Sequence, residues 1–299
     1  MAFANRGAQR LRALLSDPNR IISAPGVYDG LTARLALAEG FDCLYMTGAG
    51  TSISRLGMAD LVLCTQADMI SNAAMIASLD PSTPLIADAD TGYGGPIMVK
   101  RTVEAYARAG VAALHLEDQV QEKRCGQLLG KQLVEREVWY AKLRAAVQAR
   151  DDIGSEMVII ARTDARAGVG FDEAIDRLKG AVEAGADVLF LEALQSHEEA
   201  KMACEIFKGT PMLLNMVPSG VTPNMSLAQA RELGFRIVIW PSACLEPVAL
   251  AARQGLKSLK SSGSMQEGSV GPKEMFMVCG LQDLMNIDKR AGAKSFANI

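Results

Sequence analysis

The chain has 299 residues, 49% of them hydrophobic and 22% charged, and a net charge of −3. That length and apolar content support one large core, and an α/β barrel of this size is commonly a single domain. The slightly acidic balance lacks the basic footprint of a nucleic-acid binder or of a protein drawn to an acidic membrane surface, so an anionic ligand has to be held by local cations.

In chain order, the basic stretch Arg6 to Leu15 reads as a capping helix, with a mitochondrial presequence as the less favoured reading. Beyond it, short apolar runs recur, each followed by polar or glycine-bearing residues and then a longer helical pattern. Strands are expected at residues 21–24, 43–46, 85–88, 112–116, 158–161, 188–191, 212–215 and 237–240. Helices are expected at 31–38, 66–78, 99–108, 135–149, 171–184, 198–207, 227–232 and 246–255. Several helices stop at Ala-Gly or Leu-Gly pairs that lead into the next strand, such as Ala109-Gly110 and Leu233-Gly234. Residues 119–131, after the fourth strand, are polar and glycine-bearing and read as a lid. Residues 261–270 read as a Ser/Gly-rich connector, and residues 273–286 as one further helix with an apolar stripe in need of a partner surface.

Eight strands alternating with helices predict a (β/α)8 TIM barrel over residues 1–260, followed by a C-terminal segment over 261–299. An open doubly wound sheet is the weaker reading, since no GxGxxG follows the first strand. A barrel places its reactive groups at the C-terminal strand ends. Just past the apolar runs stand Tyr45 and Thr47, Asp88 and Asp90, Glu117 and Asp118, Arg162 and Asp164, Glu192, Asn215, and Pro241-Ser242. The six cysteines form no CxxC pair and fit free thiols in a reducing compartment. No apolar run is long enough to span a bilayer. The cytoplasm is the expected location, with the mitochondrial matrix as the alternative.

The stretch Asp88-Ala89-Asp90-Thr91-Gly92-Tyr93-Gly94-Gly95 carries most of the chemistry. Two carboxylates on one face of a strand end repel unless a cation lies between them, and oxygen donors suit Mg2+, or Mn2+. An ordinary polar turn is the plain alternative for Asp and Gly alone. Glu117, from the adjacent strand, is placed to join Asp88 and Asp90 around the cation, directly or through water. Arg162 has the planar fork that suits a substrate carboxylate, and the backbone N–H groups of Thr47-Gly48-Ala49-Gly50 suit an oxyanion. Such a pocket takes a small di- or tricarboxylate, and Cys125 on the lid is placed to exchange a proton with a carbanion. Each residue also has a structural reading: Arg162 as a mere partner of Asp164 or Glu192, Cys125 as an incidental loop thiol. The two histidines, His115 and His197, read as structural.

The motifs APGVYDG (24–30), YMTGAG (45–50), DADTGYGG (88–95), EDQ (117–119), KRCG (123–126), ARTDA (161–165) and LLNM (213–216) span nearly the whole chain. With them the sequence resembles the isocitrate lyase / phosphoenolpyruvate mutase superfamily, in the branch of 2-methylisocitrate lyase, 2,3-dimethylmalate lyase and oxaloacetate acetylhydrolase. The resemblance implies a barrel with a domain-swapped C-terminal helix, assembled as a homodimer or homotetramer. It implies Mg2+ at Asp88 and Asp90 with Glu117 in the water-mediated shell. Substrate contacts are implied from Tyr45, Thr47, Gly48, Ala49, Asp60, Asp88, Lys123, Cys125, Gly126, Gln127, Arg162, Glu192, Asn215 and Pro241. Catalytic roles fall to Cys125, Arg162, Tyr45, Lys123 and Glu117, with Cys125 as proton donor on a closing loop. The expected reaction is carbon–carbon cleavage of a substituted 2-hydroxy di- or tricarboxylate to a 2-oxo acid such as pyruvate. Hydrolysis of oxaloacetate to oxalate and acetate is the alternative: Pro241 matches lyases of this branch, whereas Ser242 beside it matches the hydrolases' serine if the register moves by one. Lyases of this branch usually read KRCGH, and here Gln127 replaces that histidine. Glutamine hydrogen-bonds but carries no proton at neutral pH, so a member diverged toward another reaction or a binding role is the third reading.

Overall fold

A computed structural model describes residues 5–264 and 270–296. Eight strands, β1 (Ile22–Val27), β2 (Leu44–Met46), β3 (Leu85–Asp88), β4 (Ala113–Glu117), β5 (Val158–Thr163), β6 (Val188–Leu191), β7 (Met212–Asn215) and β8 (Ile237–Trp240), form a closed parallel barrel in sequence order. All eight expected strands are present, and β1 closes on β8 with Ile22 opposite Ile237 and Pro25 opposite Trp240. The seam is tight: a Cβ added to Gly26 would stand 2.3 Å from the carbonyl oxygen of Pro241.

Side chains alternate along each strand. Ile22, Ala24, Tyr45, Ile86, Val158, Ile160, Phe190, Leu213 and Ile239 fill the lumen, while Leu44, Ala87, Leu114, Ile159, Leu189, Leu214 and Val238 face the helices. The period of two is what builds the site. Two residues beyond a luminal apolar residue stand Asp88 after Ile86, Arg162 after Ile160, Glu192 after Phe190, Asn215 after Leu213 and Pro241 after Ile239. The apolar column thus ends in a polar rim at the C-terminal face.

The other end of the lumen is plugged. Helix Arg6–Ser16 inserts Ala8 and Leu11, both fully buried, into the luminal cluster. Asn5 caps this helix, accepting the Ala8 N–H at 3.0 Å and donating to the Val111 carbonyl at 2.8 Å. Arg12 ties it to the Glu156 and Met157 carbonyls and to Asp187. The segment read as a capping helix is therefore built into the barrel floor.

The expected helices are found, several with sequence-encoded ends. Thr65 and Asp68 form a capping box on helix Gln66–Leu79, as do Ser226 and Gln229 on Leu227–Leu233, which stops at Gly234 with φ +108°. Two expectations at the C-terminus need correction. The helix placed at 246–255 runs from Leu245 to Ser262, so part of the expected connector is helical; residues 265–269 lie outside the described part. The single helix expected at 273–286 is two, Pro272–Val278 and Leu281–Arg290, broken where Gly280 takes φ +87°. None of these three helices has a buried residue, although they carry Leu250, Leu256, Phe276, Leu284 and Ile287. Among the described residues no helix is long and apolar enough to cross a membrane.

Candidate active site

Asp88 ends β3 and its Oδ1 accepts the Asp90 N–H at 2.8 Å, a turn that puts Asp90 at φ +47°. Asp tolerates that left-handed region better than most residues. Behind Asp88 only a glycine fits, since a Cβ on Gly48 would meet Asp88 Oδ2 at 2.3 Å. Both aspartates are 5% exposed, and burial, outweighing the nearby Lys123, raises both carboxyl pKa values. Lys123 Nζ pairs with Asp90 Oδ1 at 2.6 Å.

Glu117, at the end of β4, accepts from Gln119 Nε2 at 3.0 Å and stands 3.3 Å from Arg162 Nη1. Burial pushes its carboxyl well above the usual range. Arg162 is itself buried, with Asp164 at 2.8 Å, Glu192 at 3.5 Å and its Cζ 5.1 Å from the centre of the Phe190 ring. Burial opposes its charge, but Asp164, Glu117 and Glu192 outweigh burial and keep it cationic. Asn215 donates to Glu192 Oε2 at 3.0 Å and leaves its own Oδ1 buried without a partner. Tyr45 OH lies 3.0 Å from His115 Nε2. Burial, then Arg162, holds His115 down to about 3, so the ring is neutral.

The lid is pinned at its base by an isolated bridge between Gln119 and Leu133 and by Val120 N–H to the Gln132 carbonyl at 2.9 Å. Its tip is held by a second segment. Asp60, which follows a π-helical turn at Ser52–Leu56, accepts from Lys123 Nζ at 2.7 Å, and its carbonyl accepts the Cys125 N–H at 3.2 Å. Gly126 passes directly over the arginine: a Cβ there would be 2.5 Å from Arg162 Nη2. Gln127 Oε1 comes so close to the loop after β7 that a Cβ on Gly220 would be 2.9 Å from it. Cys125 is half-buried, and burial raises its pKa, so it is a thiol at neutral pH.

Most of these groups line a cavity of about 230 Å³, though Asp90, His115, Glu117 and Asp164 are not in its lining. Every expected substrate contact lines it except Gly48, which stands behind Asp88. Val217, Ser242, Leu245 and Glu246 complete the wall. Val217 and Leu245 carry no chemical signal in the sequence, since only their placement beyond β7 and β8 makes them part of a pocket. His115, which reads as structural in the sequence, meets Tyr45 because it stands in the luminal series Ala113, His115, Glu117. His197 opens helix His197–Ile206, away from the cavity.

The donor set fits a hard divalent cation, since two buried aspartates from one turn offer carboxylate oxygens side by side. Among the described residues no three carboxylate, thiol or imidazole groups converge as a finished shell. Glu117 faces Arg162 and Gln119.

A closed parallel barrel whose strand ends gather carboxylates, a buried arginine and a thiol under a lid has the architecture of an enzyme active site. The family model described as phosphoenolpyruvate phosphomutase matches residues 11–260. The chain belongs to this family, and so to the isocitrate lyase / phosphoenolpyruvate mutase superfamily. It is 38% identical over 283 residues to 2,3-dimethylmalate lyase of Eubacterium barkeri, covering 94% of this chain and 95% of that protein. A crystal structure of a 2,3-dimethylmalate lyase superposes with TM-score 0.96 at 53% identity, covering 98% of this chain and 97% of that one. Oxaloacetate acetylhydrolase in complex with 3,3-difluorooxalacetate gives TM-score 0.96 at 49% identity, covering 99% of both chains. Phosphonopyruvate hydrolase in complex with oxalate and Mg2+ gives 0.83 at 29%, covering 97% and 99%.

Proposed function

We propose that this enzyme is a Mg2+-dependent carbon–carbon lyase that cleaves a substituted 2-hydroxy di- or tricarboxylate, of the 2,3-dimethylmalate or 2-methylisocitrate kind, into a 2-oxo acid such as pyruvate and a second carboxylate. The observation that carries this reading is the two-sided cavity. Arg162, Lys123 and Asp88 form its polar side, and Val217, Pro241 and Leu245 give it an apolar wall that suits an alkyl substituent. Asp88 and Asp90 would hold the cation, which when bound supplies positive charge at the 2-oxygen. Arg162 binds a substrate carboxylate through its fork. Tyr45, braced by neutral His115, donates a hydrogen bond. As the C2–C3 bond breaks, the 2-hydroxyl gives its proton to a carboxylate lining the cavity and becomes the oxo group, the electron pair of the broken bond stays on C3, and the Cys125 thiol delivers a proton to that carbon. The lid, closed over Arg162, keeps bulk water from competing for the carbanion.

Oxaloacetate hydrolysis is the second reading, favoured by Ser242 in the same wall as Pro241. A panel of 2,3-dimethylmalate, 2-methylisocitrate and oxaloacetate with Mg2+ separates the two. Pyruvate release from a substituted malate or citrate supports the lyase, and oxalate from oxaloacetate alone supports the hydrolase. No turnover combined with tight oxalate binding supports a diverged member, to which Gln127 would point. Excess chelator is expected to abolish turnover, and full activity in its presence would remove the metal from the mechanism. The uncovered C-terminal helices support a homodimer or homotetramer that exchanges them between copies.

A further inference from the structure

Lys131 stands at the base of the lid, away from its tip. Its side chain is 2% exposed, and its Nζ is 2.5 Å from Asp164 Oδ1. Asp164 is fully buried and also receives Arg162, with Nε at 2.8 Å from Oδ2 and Nη2 at 3.1 Å from Oδ1. One buried carboxylate is thus shared by two cations. The sharing matters because Arg162 also faces Glu117 at 3.3 Å and Glu192 at 3.5 Å. Without a second cation at Asp164, that carboxylate would draw on the guanidinium alone and leave it less positive potential for an anionic substrate.

We propose that Lys131 and Asp164 are positioning residues for Arg162. Lys131 neutralises Asp164, and Asp164 in turn grips the guanidinium along its Nε edge, so that the arginine keeps both its orientation and its positive charge for a substrate carboxylate. Burial alone would raise the Asp164 carboxyl, yet Arg162 and Lys131 together hold it below the usual range, as a doubly paired carboxylate should be. Lys131 adjoins Gln132, whose carbonyl accepts the Val120 N–H in the pinned base of the lid. Its place therefore does not depend on the lid tip, and Arg162 is oriented before substrate arrives, as electrostatic preorganisation requires. The inference rests on the reading of Arg162 as the group that binds a substrate carboxylate.

The test measures oxalate affinity by calorimetry with Mg2+ for the wild type, Lys131→Met, Lys131→Arg, Asp164→Asn and the double variant Lys131→Met/Asp164→Asn. Steady-state constants are measured on whichever acid of the panel is turned over. Lys131→Met is expected to weaken oxalate binding by about tenfold or more and to raise KM more than it lowers kcat, as loss of a buried charge partner does. Lys131→Arg should recover most of the loss. The double variant should bind no worse than Asp164→Asn alone, because Lys131 acts only through Asp164. The double variant also leaves no unpaired charge in the core, so it reports even if Lys131→Met does not fold. Unchanged oxalate affinity in folded Lys131→Met, or losses that add in the double variant, would overturn the proposal. So would a wild type that fails to bind oxalate, since the reading of Arg162 goes with it. A wild type that binds oxalate but turns over none of the acids removes the lyase reaction and leaves the positioning roles to be judged on affinity alone.

Discussion

Asp88, Asp90 and Cys125 do separable things, and single substitutions should separate them. Asp88→Ala or Asp90→Ala is expected to abolish Mg2+-dependent turnover with the fold retained, because removing one of two neighbouring buried carboxylates relieves repulsion. Circular dichroism together with Mg2+ titration of activity checks this; turnover at wild-type level in either variant would exclude the pair as the cation's ligands. Cys125→Ser is expected to lower kcat by about 10²-fold or more with little change in oxalate affinity, as loss of a general acid does. The serine hydroxyl is a far weaker acid than a thiol, even one whose pKa burial has raised. Equal kcat in the two proteins would point away from lyase chemistry and toward the diverged reading of Gln127.

At the scale of elements, two contacts stabilise the fold by different means. Leu11 on the N-terminal plug is fully buried in the lumen, and Leu11→Ala should cost about 2–5 kcal/mol in denaturant unfolding, with the cavity left at the barrel floor. A loss below about 1 kcal/mol, the usual range of a surface substitution, would mean that the plug is not part of the cooperative core. Helix Arg136–Asp152 is joined to helix Phe171–Glu183 through Glu173, which takes Arg136 Nε at 3.0 Å and Arg177 Nε at 2.7 Å. Hydrogen bonds from Arg136, then, against burial, from Arg177, lower its carboxyl to about 2 from an ordinary 4.5. A depressed folded-state pKa adds stability above the unfolded value and loses it as pH falls through the folded one. The stability difference between wild type and Glu173→Gln should therefore be full above about pH 5 and shrink toward pH 2. A difference that stayed constant across that window would show that the charge of Glu173 is not what joins the helices.

For the molecule as a whole, the barrel and its chemical rim were legible in the sequence for one reason: both follow from the period of two. A run such as Val158-Ile159-Ile160-Ala161 declares a strand buried on both faces, and parity then carries Arg162 to the luminal side. What parity does not carry is a residue whose place depends on a loop. Val217 and Leu245 are ordinary apolar residues until the barrel closes, and the reach of Lys131 to Asp164 spans 33 positions. The C-terminal helices were visible as an apolar stripe, but the break at Gly280 was not, because periodicity continues across it. Their faces remain uncovered in a single chain, so truncation after Ser261 should give insoluble protein or a dissociated one in light scattering. A soluble, fully active monomer would remove the basis for exchange of these helices.

Gly26 gives the seam between β1 and β8 a bearing on how this pocket can be redesigned. Its missing side chain is the space that the Pro241 carbonyl occupies, so the wall most exposed to selection for new substrates is backed by a strand with no room to yield. Exchanging Pro241 for serine alters the inner surface alone and leaves the backbone where it is. Any change that needs the chain at 241 to retreat is blocked by β1 itself. Laboratory evolution toward bulkier acids should therefore accumulate substitutions at Val217, on the loop after β7, and at Leu245, where helix Leu245–Ser262 begins, well before it moves the strand end they flank.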